Sequence, residues 1–349
     1  MVSDNKMLRH LVIAGGGPRC VTFMGALDVL HKLPQFAGVK DYWGNSAGAI
    51  LATLLSLKTP YAKLHSVFTT IDFTKFRDVD LNNIMRFSTH WGLDSGDAFV
   101  ANLKLMLEEV KPGSSEYTMQ EIPGLHIACT DLTETKALVL DSISFPTMKL
   151  VDALRASTSI PFFFCPYRNP IDGHLLVDGG VAGNFPWIHL PDDAARASAI
   201  GLDFTSVITK EPTSLGEYIP KILQFREHNS SRLKPSGPNI IRFTISGFPA
   251  WHLNLNRQDR HDLFNIGRTT TERWLEDGGA DWLSTLHSVP GTSGNRLTSD
   301  PRCIRPPGYP RSRADGLSGS QQSSDPSPAR DSSLGLPLIH RPSSRRWSV

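Results

Sequence analysis

The pentapeptide Gly44-Asn45-Ser46-Ala47-Gly48 limits what this chain can fold into more than any other feature, because it sets a serine between two glycines where two apolar runs meet. It is the only G-x-S-x-G in the sequence. Val39 to Trp43 before it reads as a strand, and Ala49, Ile50, Leu51, Ala52, Leu54 and Leu55 after it read as a helix. A chain that passes directly from strand to helix at a serine needs small neighbours, which let the backbone take strained dihedrals and leave the hydroxyl accessible. The free N–H groups at the start of the new helix then face the place where negative charge would develop in an acyl transfer. The same residues also fit an ordinary Gly/Ser turn ahead of a core helix, so the pentapeptide alone does not decide between the two.

The rest of the chain supplies the rhythm of an α/β sheet. Residues 8–14 read as a strand, Gly15-Gly16-Gly17-Pro18-Arg19 as a loop, and Val21, Met24, Leu27, Leu30 and Leu33 as one face of a helix. Strand, glycine loop, helix, strand, turn, helix is the order expected of a parallel sheet. His126 to Thr130 and Ala137 to Asp141 add two strands, and Leu150 to Ser157 a helix that stops before Pro161. Leu175 to Val177 is a short strand leading into Asp178-Gly179-Gly180. Ala197 to Phe204 and Asn239 to Ile245 read as strands and 262–276 as the last helix, while 72–96 and 205–238 are weakly periodic and read as insertions over one face of the sheet. From residue 288 onward Ser, Pro, Gly and Arg dominate, and 288–349 is expected to be a disordered tail because it has too little apolar surface to offset the entropy of ordering.

Composition excludes several classes. Nine Arg face four Asp in the tail, although the whole chain has a net charge of only +2, so the body is mildly acidic and offers no basic groove for nucleic acid. Cys20, Cys129, Cys165 and Cys303 are far apart, without the spacing of a zinc or redox motif. The apolar run Leu11 to Ala14 is too short for a secretory signal, and no stretch approaches the roughly 18 apolar residues of a membrane span. A cytoplasmic protein with transient contact at membrane surfaces is expected.

Acyl transfer needs a nucleophile, a base and donors for the oxyanion. Ser46 is the candidate nucleophile. The loop Gly15-Gly16-Gly17 with Arg19 is the candidate donor set; Pro18 has no N–H. A dinucleotide-binding loop is the competing reading, but that fingerprint needs glycine where Cys20 stands, even though Asp41 lies at the distance of a ribose carboxylate. Asp178 is the candidate base, with Gly179 and Gly180 giving its backbone freedom for a close approach. The second Asp-Gly-Gly, Asp277 to Gly279, reads as a helix ending. His189, His228, His252 and His261 follow Asp178, as a triad histidine would, but none sits in a motif; His174 shares a strand face with Asp178. Asp131 and Asp141 read as capping residues. No metal motif is present, and no cofactor is expected. Trp91, Leu93, Trp251 and Leu253 are candidates to line an acyl pocket or touch a bilayer, and Ile160 to Phe164 reads as core.

Taken in order, Gly15 to Arg19, Gly44 to Gly48 and Asp178-Gly179-Gly180-Val181-Ala182-Gly183-Asn184-Phe185-Pro186 resemble a patatin-like phospholipase. Arg155 to Pro161, with Asp152 upstream, and the closing stretch Ile266 to Leu275 resemble it too. The resemblance covers residues 8–277. It implies an α/β fold in one domain, with a mostly parallel central sheet flanked by helices. It also implies a Ser–Asp dyad without histidine that cleaves fatty-acyl esters through an acyl-enzyme. By position, Ser46 is then the nucleophile and Asp178 the base; Gly44, Asn45, Ala47 and Gly48 form the elbow, and the loop amides the oxyanion hole. Arg19 matches a basic residue usual in the family. Cys20 departs from the usual glycine, which leaves a non-catalytic lipid-binding or storage protein on the same fold as the alternative. The expected partner is a phospholipid or other acyl-ester lipid.

Overall fold

A computed structural model describes residues 7–286 apart from 80, 206–210, 212–217, 219–220, 222–234, 247 and 249–252. All of the described residues lie in the unit Met1–Asn295. The expected tail, 288–349, and also His228, Trp251, His252 and Cys303, lie outside the described residues.

The chain order is β1 (His10–Ile13), α1 (Val21–Leu30), β2 (Asp41–Asn45), α2 (Ala47–Ser56), α3 (Tyr61–Thr70), α4 (Leu81–Met85), α5 (Phe87–His90), β3 (Gly92–Asp94) and α6 (Asp97–Val110). Then come β4 (Leu125–Asp131), β5 (Lys136–Asp141), α7 (Leu150–Ser157), β6 (Phe162–Phe164), β7 (Tyr167–Arg168) and β8 (Leu175–Asp178). The last elements are α8 (Asp193–Ala197), β9 (Ala199–Phe204), β10 (Ile240–Phe243) and α9 (Arg257–Trp274), which passes through a kink at Asp277 and Gly278 into a final turn, Ala280–Ser284.

One eight-stranded sheet organises the molecule, in the order β10-β9-β1-β2-β4-β8-β7, with β5 also paired to β4. The strands from β10 to β4 are mutually parallel; β5 and β8 run antiparallel to β4. Strands β1 and β9 are buried along their whole length, as expected of parallel strands covered on both faces. Phe23 of α1 stacks on Phe204 of β9 (centroids 4.6 Å apart) and meets Phe243 of β10 edge-on (5.8 Å), which fixes α1 on that half of the sheet. Against α1 lies α9. A β-carbon at Gly25 would overlap the Phe264 carbonyl and one at Gly267 the Thr22 carbonyl, so the two helices touch backbone to backbone.

The pairing around β4 places the site. β5 occupies one edge of β4 from His126 to Asp131. The other edge is shared: β2 covers it as far as Asn45 opposite Ala128, and β8 takes over with Asp178 opposite Cys129. Since β2 runs parallel to β4 and β8 antiparallel, their carboxyl ends approach each other along one edge and meet at consecutive β4 residues. The residue after β2 is Ser46, and the last residue of β8 is Asp178.

A second, two-stranded sheet pairs β3 with β6 in parallel, Gly92 opposite Phe162. Its strand β3 lies in the stretch expected as an insertion, and β6 turns part of the expected core run Ile160 to Phe164 outward: Phe164 is buried, but Phe162 is 48% exposed. No helix among the described residues is long and apolar enough to cross a membrane.

Candidate active site

Ser46 sits at the expected strand-to-helix turn with φ 53° and ψ −128°, a conformation that L-residues avoid. Its neighbours show why the turn is tolerated. A β-carbon at Gly44 would overlap the Ala49 backbone, and one at Gly48 would meet the carbonyls of Ile13 and Ala14, so α2 can leave this tightly only with glycine at both positions. The turn is anchored from α7: the Ser46 amide donates to Ser157 Oγ (2.9 Å), and Ser157 Oγ donates to the Ala128 carbonyl (2.6 Å). Ser157 is fully buried, so this bond is shielded from water.

Asp178 lies beside it. The Ser46 hydroxyl is near enough to favour the charged form of its carboxylate, and the Gly180 amide donates to Oδ1 at 2.7 Å. Its backbone is fixed from two sides, by its own N–H donating to the Ser159 carbonyl (2.9 Å) and by Thr130 Oγ1 donating to its carbonyl (3.0 Å). Burial pushes the carboxyl up to about 6 and outweighs the opposing effects of the Ser46 hydroxyl and the Gly180 amide. Ser46 and Asp178 are 7% and 6% exposed, so the pair is nearly sealed by the protein.

The glycine loop lies over the serine. A β-carbon at Gly15 would stand 3.2 Å from Ser46 Cβ. Gly17 has φ 54°, and Pro18 opens a short 3-10 turn, Gly17–Cys20. Of the loop amides, Gly15 N–H donates to the Asn184 carbonyl (3.1 Å) and Arg19 N–H to the Gly16 carbonyl (3.3 Å). Both are therefore engaged within the protein, which leaves Gly16 and Gly17 as the loop amides with no backbone acceptor among the described residues. Arg19 Nε also reaches the Gly16 carbonyl (3.3 Å), and its guanidinium lies 4.7 Å from the Phe204 ring centroid. Cys20, the departure from the expected glycine, has φ −57°, an ordinary helical value, and its thiol is buried and pushed up to about 12 by that burial. A side chain there imposes no backbone strain on the loop.

His174 does not share a site with Asp178. Its Nδ1 bonds Asp131 Oδ2 at 2.8 Å, and this bond raises its pKa. Asp131 Oδ1 in turn accepts from the amides of Thr133 and Glu134, and Asp141 Oδ1 from those of Ile143 and Ser144, the capping roles expected of both. Two site residues lack a sequence signal of their own. Ser157 and Asn184 both lie inside motifs quoted above, but only the fold brings them against Ser46 and Gly15.

A family model described as patatin-like phospholipase matches residues 11–190. The chain is 26% identical over 294 residues to the uncharacterized protein YqhO of Bacillus subtilis (strain 168), spanning 76% of this chain and 97% of that protein. It is 28% identical over 195 residues to the probable lipid hydrolase 463L of Invertebrate iridescent virus 6, spanning 52% of this chain and 62% of that one. Among solved structures, VipD from Legionella pneumophila superposes with a TM-score of 0.56 at 15% identity over 77% of this chain and 67% of its own, a likeness of fold. The family match runs from β1 past Asn184 and so takes in the glycine loop, the serine turn and the aspartate loop together; this chain belongs to the patatin-like phospholipase family.

Proposed function

We propose that this chain is a lipid acyl hydrolase whose catalytic pair is Ser46 and Asp178. The observation that carries the reading is the meeting of the strained Ser46 turn and the buried Asp178 carboxylate at consecutive β4 residues, Ala128 and Cys129. A carboxylate of ordinary pKa is a weak base toward an alcohol; desolvation raises its basicity while leaving it ionised at neutral pH. Ser46 Oγ attacks the acyl carbonyl as its proton passes to Asp178. The tetrahedral oxyanion is held by the Gly16 and Gly17 amides. Collapse expels the alcohol or lysolipid, which takes the proton from Asp178 and leaves an acyl-enzyme. Asp178, ionised again, then draws a proton from water; the hydroxide attacks the acyl carbonyl, the proton returns to Ser46 and the fatty acid departs.

The family membership and the printed name of the viral relative, a probable lipid hydrolase, favour an acyl ester of a lipid as substrate. Access from an aggregated lipid surface is supported by two exposed aromatics at the small sheet. Trp91 and Phe162 lie at adjacent ends of β3 and β6, are 52% and 48% exposed, and both have positive φ. Bulky residues kept in that strained state and turned toward solvent suit contact with a lipid interface. The experiment is a hydrolysis panel of phospholipid vesicles and soluble short-chain esters with wild type and Ser46→Ala. Release of fatty acid that disappears in Ser46→Ala is expected; equal release by both proteins would overturn the reading.

A further inference from the structure

Asn184 holds both polar groups of Gly15. Its main-chain carbonyl accepts the Gly15 N–H (3.1 Å), and its side-chain Nδ2 donates to the Gly15 carbonyl (2.8 Å). The second bond fixes a peptide plane as well as a residue. The peptide between Gly15 and Gly16 is planar and trans, so the Gly15 C=O and the Gly16 N–H point in opposite directions. Tying the oxygen to Asn184 therefore sets the direction in which the Gly16 N–H aims. A hydrogen bond accepted at one end of a peptide also polarises it, which strengthens the donor at the other end. Glycine at 15 and 16 supplies no side chain that would restrict the rotation of this plane, so the restraint has to come from outside the loop.

The tie is itself braced. Asn45 Nδ2 donates to the Asn184 carbonyl (3.1 Å) and lies 3.2 Å from Asn184 Oδ1. Asn45 is fully buried and immediately precedes Ser46. Asn184 follows Asp178 by six residues on the loop that the Thr130 hydroxyl also holds, at the Ala182 amide (3.0 Å). One side chain thus links the aspartate loop, the elbow and the glycine loop.

We propose that Asn184 is a positioning residue for acyl transfer: by holding the Gly15 carbonyl, its side-chain amide aims the Gly16 N–H at the oxygen of the reacting carbonyl. The proposal rests on the hydrolase reading above. It differs from a purely structural tie in one respect. Its effect runs through a hydrogen bond to the carbonyl oxygen, so it depends on what atom occupies that place. Sulfur accepts such a bond poorly, and a thionoester substrate withholds most of the contribution.

The test compares wild type, Asn184→Ala and Asn184→Ser on a soluble ester and its thionoester counterpart, with Ser46→Ala as control. The same proteins are followed by hydrogen exchange in peptides covering residues 13–20 and 47–56. In Asn184→Ala, kcat on the oxygen ester is expected to fall by about 10²-fold with KM little changed. The thionoester rate falls much less, so the preference for oxygen over sulfur shrinks. The 13–20 peptide exchanges faster and the 47–56 peptide does not. Asn184→Ser gives the same pattern if the alanine variant folds poorly. Equal losses on both substrates, or none, would overturn the positioning role, and unchanged exchange in 13–20 would overturn the tie itself. Hydrolysis that survives Ser46→Ala would instead overturn the hydrolase reading, while exchange still reports on the tie.

Discussion

Asp178 is ionisable, buried and beside the group it is proposed to activate, and each property has a measurable consequence. Its folded pKa of about 6 lies above the ordinary value of 3.8. The unfolded chain thus releases this proton at lower pH than the folded one. The contribution to stability is most favourable below both values, falls as pH rises between them, and stays at its lowered level above about 6. The gap corresponds to at most about 3 kcal/mol. Asp178→Asn removes the ionisation but keeps an acceptor for Ser46 and Gly180. We predict an inactive protein that is more stable than wild type at pH 7–8 and gains little at pH 4; denaturant unfolding at the two pH values checks this, and a variant less stable at pH 8 would contradict it. In wild type, kcat/KM should rise with pH through a midpoint near 6, because the base must be ionised. His174, bonded to Asp131, has no part in this proton path. His174→Ala should keep kcat/KM within about threefold, since removing a positioned acid–base group typically costs at least about 10²-fold.

At the scale of elements, the active geometry depends on how β2 and β8 meet on β4 and on how α7 grips the elbow. Ser157→Ala leaves the Ser46 amide buried without its acceptor, which should cost about 1–3 kcal/mol of stability. It should also lower kcat more than it raises KM, since the strained turn loses an anchor; thermal melts and steady-state kinetics on one soluble ester check both effects. The sequence carried much of this level. Three glycine-rich loops between apolar strands announced themselves, because close backbone approach leaves so few residue types that fit, as Gly44 and Gly48 show against Ala49 and Ala14. The helix Leu150–Ser157 was legible to the residue. Strand direction was not: Leu175 to Val177 reads as a strand, but nothing local says that β8 enters antiparallel, and that reversal is what brings Asp178 to Ser46. Helix α6 is absent from the expected elements although Phe99, Leu103, Met106 and Leu107 carry a helical period and are buried. Asn184 was visible only as a member of a motif, since its partner Gly15 is 169 positions away.

At the scale of the whole molecule, the nearly buried Ser46 and Asp178 contrast with a set of exposed apolar side chains on α4, β6 and the entry to β3. Leu81 and Met85 of α4 are 77% and 73% exposed, alongside Trp91 and Phe162. If these exposed aromatics meet lipid, Trp91→Ser with Phe162→Ser should lower binding to phosphatidylcholine vesicles and hydrolysis of lipid in them. Activity on a soluble short-chain ester should be unchanged; loss of both activities alike would place these residues in the catalytic site or the core instead. The claim beneath all of this is that a hydroxyl and a carboxylate 132 positions apart in sequence act as one unit. The most direct measurement is covalent labelling by a fluorophosphonate, followed by peptide mass mapping, in wild type, Ser46→Ala and Asp178→Asn. Modification of wild type at Ser46 alone, none in Ser46→Ala, and labelling of Asp178→Asn slowed by at least about 10²-fold are expected of such a pair. Rapid labelling of Asp178→Asn, or modification at another residue in Ser46→Ala with hydrolysis retained, would contradict it.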